Sequence, residues 1–313
     1  MKKNLLVISS VMLIGLLIST VVYFRATNEK SRELSEPNEN IHHQEEQNEQ
    51  VVPELEELQA INPDQISYSL QNNELHLTFN GGEEWVKVPV EKDHLFAGEY
   101  NGTQQELIDN SYFFSENRVA IIYSDGVSWE NDRLQLLWSI DQGNNWQETV
   151  VEEPFLGMRF RKVDFLNDQF GYIIATGERT MSSEASRVFL THDGGQTWKE
   201  AAYSGNTRLL FDGGFVDQST GFLSYGTINP EEPDFYVTQD GGETWTKANV
   251  VIPEQYNKIF VTAEVPVKEG DHLTMLVNQG PNGDYQGGKV KGLFTSNDNG
   301  LTWEFSMEVN PNE

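Results

Sequence analysis

Four near-copies of one short stretch constrain this chain more than anything else in it. Thr191-His-Asp193-Gly-Gly-Gln-Thr-Trp198 returns as Thr238-Gln-Asp240-Gly-Gly-Glu-Thr-Trp245. Ser296-Asn-Asp298-Asn-Gly-Leu-Thr-Trp303 and Ser139-Ile-Asp141-Gln-Gly-Asn-Asn-Trp146 keep the same order. A degenerate fifth copy runs from Thr78 through Asn80 to Trp85. The successive Trp residues stand 61, 52, 47 and 58 positions apart. A period of this size belongs to stacked or radial repeats. The residue types suit a turn: the Asp side chain accepts from nearby N–H groups, and Gly reaches positive φ at no steric cost. The Trp is expected to bury its ring between repeats.

A second marker moves in step. Phe165 is followed six residues later by Gly171, and Phe215 by Gly221; Phe114 with Ala120 is read as the corresponding pair. From these Phe to the motif Trp is 32, 33 and 30 residues in chain order. Each unit reads as four short strands. In the third they are Phe160–Leu166, Tyr172–Thr176, Arg187–Thr191 and Thr197–Tyr203, alternating apolar and polar between Gly/Asp/Asn clusters. Four strands per repeat is a propeller blade. The expected fold is all-β: a β-propeller of four-stranded blades, five blades with six as the alternative, preceded by a single N-terminal transmembrane helix. The first blade shows three strands, Ile66–Leu70, Leu75–Phe79 and Trp85–Val90. Its innermost strand is missing or comes from the preceding segment.

The motif resembles the Asp-box, or BNR repeat. With its Phe…Gly marker the chain looks most like propellers of the photosystem II assembly-factor type, over residues 65 to 313. The resemblance implies that Asn80, Trp85, Asp141, Trp146, Asp193, Trp198, Asp240, Trp245, Asp298 and Trp303 are structural and remote from the functional face. It also implies relatives that are exported or anchored. Asp-boxes occur in sialidases too, but the Phe-Arg-Ile-Pro segment of those enzymes is absent.

The rest of the chain divides into an N-terminal membrane anchor or signal peptide (1–26), an acidic disordered tether (27–64) and the propeller (65–313). Leu5–Phe24 is free of charge and long enough to span a bilayer as a helix. It outruns a usual signal-peptide apolar region. The propeller is therefore expected on the extracytoplasmic side, or secreted if the segment is cleaved. The tether carries net −9 and is too polar to fold, with a short helix possible over 53–60. His42 and His43 within it do not make a metal site.

The propeller itself carries net −22 of the chain's −28. That repels nucleic acid and anionic lipid headgroups. The absence of Cys excludes disulfides and thiolate chemistry. Neither metal nor cofactor is expected. The loops opposite the motif turns are the expected binding surface. Arg159, Arg161, Arg208 and Lys258 near the channel mouth suit an acidic group, with Trp129 and Tyr285 as contact anchors. Arg159 and Arg161, two apart, are placed on one strand face. These readings favour a non-catalytic, membrane-anchored module that binds a protein or cell-envelope component. The alternatives are a sialidase-like glycoside hydrolase, which needs two opposed carboxylates about 5–9.5 Å apart, and an acidic cation-responsive module.

Overall fold

The computed structural model describes residues 57–62, 64–126, 131–281 and 283–310. The chain divides into two units, Met1–Glu54 and Leu55–Glu313. The second is described below. The expected anchor and tether down to residue 56 lie outside the described residues. Among the described residues no helix is long and apolar enough to cross a membrane.

Strands dominate. The first sheet holds β1 (Ser67–Ser69), β2 (His76–Thr78) and β3 (Val86–Lys87). The second is β4 (Tyr112–Phe114), β5 (Val119–Ser124), β6 (Leu134–Ser139) and β7 (Gln147–Glu152). The third is β8 (Arg161–Phe165), β9 (Gly171–Thr180), β10 (Ser183–Thr191) and β11 (Lys199–Glu200). The fourth is β12 (Leu210–Phe215), β13 (Gly221–Tyr225), β14 (Asp234–Thr238) and β15 (Thr246–Lys247). These are antiparallel meanders, each strand beside the next in sequence. The fifth sheet adds β16 (Asn249–Val251), β17 (Phe260–Ala263), β18 (Val267–Glu269), β19 (His272–Gln279), β20 (Lys291–Ser296) and β21 (Thr302–Val309). Its β16 pairs in parallel with β21 before the chain crosses to the inner edge at β17. The architecture is that of a β-propeller.

Both faces of the middle sheets are buried, and strand alternation decides where each residue goes. In β5, Val119, Ile121 and Tyr123 pack toward the first sheet, while Ala120 and Ile122 pack toward the third. In β9, Ile173 and Ala175 meet the second sheet; Tyr172 and Ile174 meet the fourth. A further cluster joins the fourth and fifth sheets through Phe222, Phe235, Phe294 and Trp303. The core therefore lies between sheets.

The repeated motif is a turn. Asp193 Oδ1 accepts from Thr191 Oγ1 (2.8 Å) and from the Thr197 amide (2.9 Å), and Oδ2 from Thr197 Oγ1 (2.6 Å). The Gly195 amide donates to Thr191 Oγ1 at 2.9 Å, from a backbone at φ +100° that an L side chain rarely adopts. The backbone donor, the Thr197 amide, sits four residues on from the Asp. Asp240 and Asp298 repeat this net. Asn145 supplies the side-chain donor to Asp141, and Asn80 stands in for the Asp in the first copy. The last three turns are also held by the preceding sheet. Arg118 donates to the Gly194 and Asp168 carbonyls and lies 4.2 Å over the Phe165 ring. Ala202 N donates to Gly242 O, and Gln239 Nε2 to Asp298 O.

The Phe…Gly marker is a cross-strand pair. Phe165 faces Gly171 and Phe215 faces Gly221. A Cβ at Gly171 would lie 2.5 Å from the Phe165 ring. The ring thus takes the space that Gly leaves and meets Trp198 edge-on at 6.1 Å. In the second sheet Phe114 faces Val119, and Ala120 faces Phe113, because the intervening turn is one residue shorter. That corrects the pairing of Phe114 with Ala120. Trp burial also departs from expectation. Trp303 is fully buried, whereas Trp85, Trp146, Trp198 and Trp245 are half-buried. No helix forms over 57–60; residues 53–56 lie outside the described residues.

The first sheet has three strands, as the sequence indicates, and Ile61 N donates to Tyr68 O at 2.9 Å along the free edge of β1.

The turn aspartates give the fold an acid response. Donors on Thr244 hold Asp240 below the ordinary carboxylate range, as donors on Asn145 do for Asp141. In Asp193 and Asp298 partial burial pushes upward, but the Thr197 and Thr302 donors outweigh it. A depressed folded value means that the unfolded chain takes up protons first. The contribution is complete above about pH 4 and is lost as pH falls through the folded values. Urea midpoints are expected to fall steeply below that pH, and Asp240→Asn to flatten the fall.

Candidate functional site

In a meander the first-to-second and third-to-fourth turns lie at one end of the sheet, and the remaining connections at the other. The Asp-boxes occupy the first end, where Gly194 N donates to Gln169 O. The second end gathers the 88–111 connection, which contains the short helix α1 (Lys92–Leu95), and the segments 153–160, 201–209 and 252–259.

A cavity of about 440 Å³ opens there between the connections of the first three sheets. It is lined by Glu99, Tyr100, Asp109, Asn110, Phe160 and Arg179, with Arg159, Arg161, Ile108 and Leu209 completing the wall. Glu99 is ion-paired with Arg179, whose Nη2 also donates to Met181 O. Asp109 is exposed and has no hydrogen-bond or ion-pair partner among the described residues. Tyr100 is 54% exposed, presenting a ring to solvent.

The structure brings Arg159 and Arg161 to this cavity but turns them apart. Arg159 N donates to Thr176 O and Thr176 N to Phe160 O, so two residues oppose one in a bulge ahead of β8. The shared strand face expected from their spacing is lost. Arg159 grips the buried Glu184 through Nε (2.5 Å) and Nη2 (2.6 Å), and donates to Leu210 O. Arg161 is buried and donates to the Leu95, Ala97 and Tyr100 carbonyls. Burial pushes its guanidinium down to about 10. Both cations therefore have internal partners.

Lys258 and Tyr285 line a different cavity of about 410 Å³, between the fourth and fifth sheets. Lys258 pairs with Glu231 at 3.3 Å, and Tyr285 Oη donates to Glu308 at 2.8 Å. Arg208 lines neither cavity and pairs with Asp234 at 3.0 Å. Trp129 lies outside the described residues. Beside that gap, Arg133 and Gln135 donate to Asp125, and burial raises Asp132 above the usual carboxylate range. Among the described residues no cluster of His, Asp or Glu is suited to a metal ion.

Sequence reasoning missed Glu99, Tyr100, Asp109, Arg179 and Glu184. One available signal was the length of the 88–111 connection, since long loops in compact domains are commonly functional. The other was hidden. The stretch 177–186, left between the expected strands Tyr172–Thr176 and Arg187–Thr191, continues β9 and β10 to a tight turn at Met181.

Comparison with known proteins supports the Asp-box resemblance. The family described as BNR/Asp-box repeat matches residues 189–200 and 236–247. No curated protein matches the chain. Among solved structures, an ancestral GH74 enzyme is 16% identical with a TM-score of 0.42, over 79% of this chain and 30% of its own. The GH74 xyloglucanase from Xanthomonas campestris is 14% identical with a TM-score of 0.44, over 77% and 36%. A protein of unknown function from Dyadobacter fermentans is 12% identical with a TM-score of 0.42, over 64% and 70%. This chain thus spans about a third of the GH74 proteins it matches. The finer likeness to photosystem II assembly factors is not supported by these matches. The expectation of a non-catalytic binding and assembly module is corrected here. The neighbours named for an activity are glycoside hydrolases, the alternative to that module. Likeness at this level assigns no activity to this chain, so its own residues must carry the argument.

Proposed function

We propose that the propeller is a glycoside hydrolase acting at the cavity bounded by Glu99 and Asp109. One observation carries the reading: two carboxylates stand with the Tyr100 and Phe160 rings and the Asn110 amide in one open cavity, opposite the Asp-boxes. Aromatic faces and planar polar groups suit a neutral sugar. Glycosidic cleavage takes one carboxyl to protonate the leaving oxygen and a second to activate water or attack the anomeric carbon. Glu99, ion-paired with Arg179, and Asp109 are the two carboxyl groups of the cavity that would share these roles.

The test is turnover of a panel of aryl glycosides and β-linked oligosaccharides, xyloglucan fragments included. Glu99→Gln and Asp109→Asn should each lower kcat by about 10²–10⁴ without lowering Tm. A folded protein that cleaves none of them, or variants as active as the parent, would contradict the reading.

Two structural proposals accompany it. The propeller has five blades, with the segment around Ile61 standing where the first blade lacks an inner strand; the Ile61–Tyr68 hydrogen bond supports this. Leu5–Phe24 anchors the chain with the propeller outside the cytoplasm, supported by the uncharged length of that segment. Carbonate extraction and protease access to intact cells test the second.

A further inference from the structure

Arg161 is a buried cation that no carboxylate neutralises among the described residues. It is 2% exposed. Nη1 donates to Leu95 O at 3.2 Å, and Nη2 donates to Ala97 O and Tyr100 O, both at 2.8 Å. Its Nε has no partner. Burying a charge on carbonyls alone is costly, so the arrangement calls for a reason beyond stability. All three carbonyls belong to one short turn, Leu95–Tyr100, that follows α1. The same turn is held from a second direction, by Glu99 N donating to Met158 O at 2.9 Å. It is held closely: a Cβ at Gly98 would lie 2.3 Å from Met158 O and 3.2 Å from Arg161 Nη2, on a backbone at φ +112°. The turn's backbone is thus pressed onto the start of β8, and the side chains of Glu99 and Tyr100 are left exposed at the cavity. A planar guanidinium reaches several carbonyls at once with fixed geometry; a lysine ammonium does not.

We propose that Arg161 is a positioning residue: it fixes the backbone of Leu95–Tyr100 so that Glu99 and Tyr100 stand at the cavity in working geometry. Its importance for catalysis rests on the glycosidase reading above; its effect on the turn does not.

The experiment uses the full chain with Arg161→Lys, Arg161→Ala and Gly98→Ala. The last displaces the same turn by a backbone clash with Met158 O and retains the Arg161 side chain. Two quantities are read: hydrogen exchange at the Glu99 amide, and kcat with KM on whichever glycoside the parent cleaves. Folded Arg161→Lys and Gly98→Ala should both speed exchange at Glu99, with exchange in β9 and β13 unchanged. Both should lower kcat by about 10² at nearly unchanged KM, as expected for a misplaced catalytic group. Free guanidinium at non-denaturing concentration should restore slow exchange and turnover to Arg161→Ala, but not to Gly98→Ala. Unchanged exchange at Glu99 in folded Arg161→Lys would overturn the proposal, as would uniform exchange gains across the sheets. If the parent cleaves no glycoside while the local exchange response appears, the glycosidase reading fails and the positioning of the turn stands.

Discussion

Trp303→Ala should lose about 3–5 kcal/mol of stability, the range for deleting a large buried aromatic. Trp303 is fully buried, meets Phe222 and Phe235 edge-on at 6.1 Å, and donates from Nε1 to Gly300 O at 2.9 Å. Its removal opens a cavity between the fourth and fifth sheets and removes the ring that the last Asp-box turn folds against. At the scale of a domain this size the melting temperature should drop by on the order of 10 °C. Trp198→Ala is the internal comparison. That ring is half-buried, with a longer Nε1 bond of 3.2 Å to Gly195 O, and should cost about 1–3 kcal/mol. Equal losses at the two positions, read from urea denaturation, would contradict the packing argument.

The second large effect lies at the Arg159–Glu184 pair. Glu184 is fully enclosed and accepts from Arg159 twice and from the Leu210 amide at 2.7 Å. Arg159 keeps about a fifth of its side-chain surface exposed. The two partners are therefore not equivalent. Arg159→Met leaves a carboxylate enclosed without its cation and should cost about 3–5 kcal/mol. Glu184→Gln keeps an acceptor for Leu210 N and leaves a cation with a path to water, so about 1–3 kcal/mol is expected. Chemical denaturation of both variants checks the order. A larger loss for Glu184→Gln would contradict this order, since it would make the partly exposed cation costlier to leave unpaired than the enclosed carboxylate.

These two sites differ in how visible they were beforehand. The Asp-box copies were legible because everything that makes them lies within eight consecutive residues: a hydroxyl, a carboxylate, a Gly free to take positive φ, and an indole. The order of strands in each sheet followed from the same local period. What could not be read is set by distant partners. Arg159 and Arg161 looked like neighbours on one strand, and the bulge at Thr176 turns one toward Glu184 and the other toward the Leu95–Tyr100 turn. Glu184 sat in a stretch read as loop, because its polar composition hides two strands paired to a tight turn. Glu99 and Asp109 lie in a connection with no periodicity, so only folding brings them to one cavity. Trp burial was overestimated for a similar reason. An indole's position in the motif is local, but what covers it depends on the neighbouring sheet, and only Trp303 is covered completely.

The most direct measurement puts the two ends of the propeller side by side. Asp240→Asn and Trp303→Ala alter the Asp-box end; Glu99→Gln and Asp109→Asn alter the cavity end. Denaturation midpoints and glycoside turnover are measured on all four folded proteins. The expected result is a clean exchange: the Asp-box variants lose stability and keep the parent's kcat, and the cavity variants keep stability and lose kcat. Stable Asp-box variants that have lost turnover, beside cavity variants that have kept it, would contradict the account.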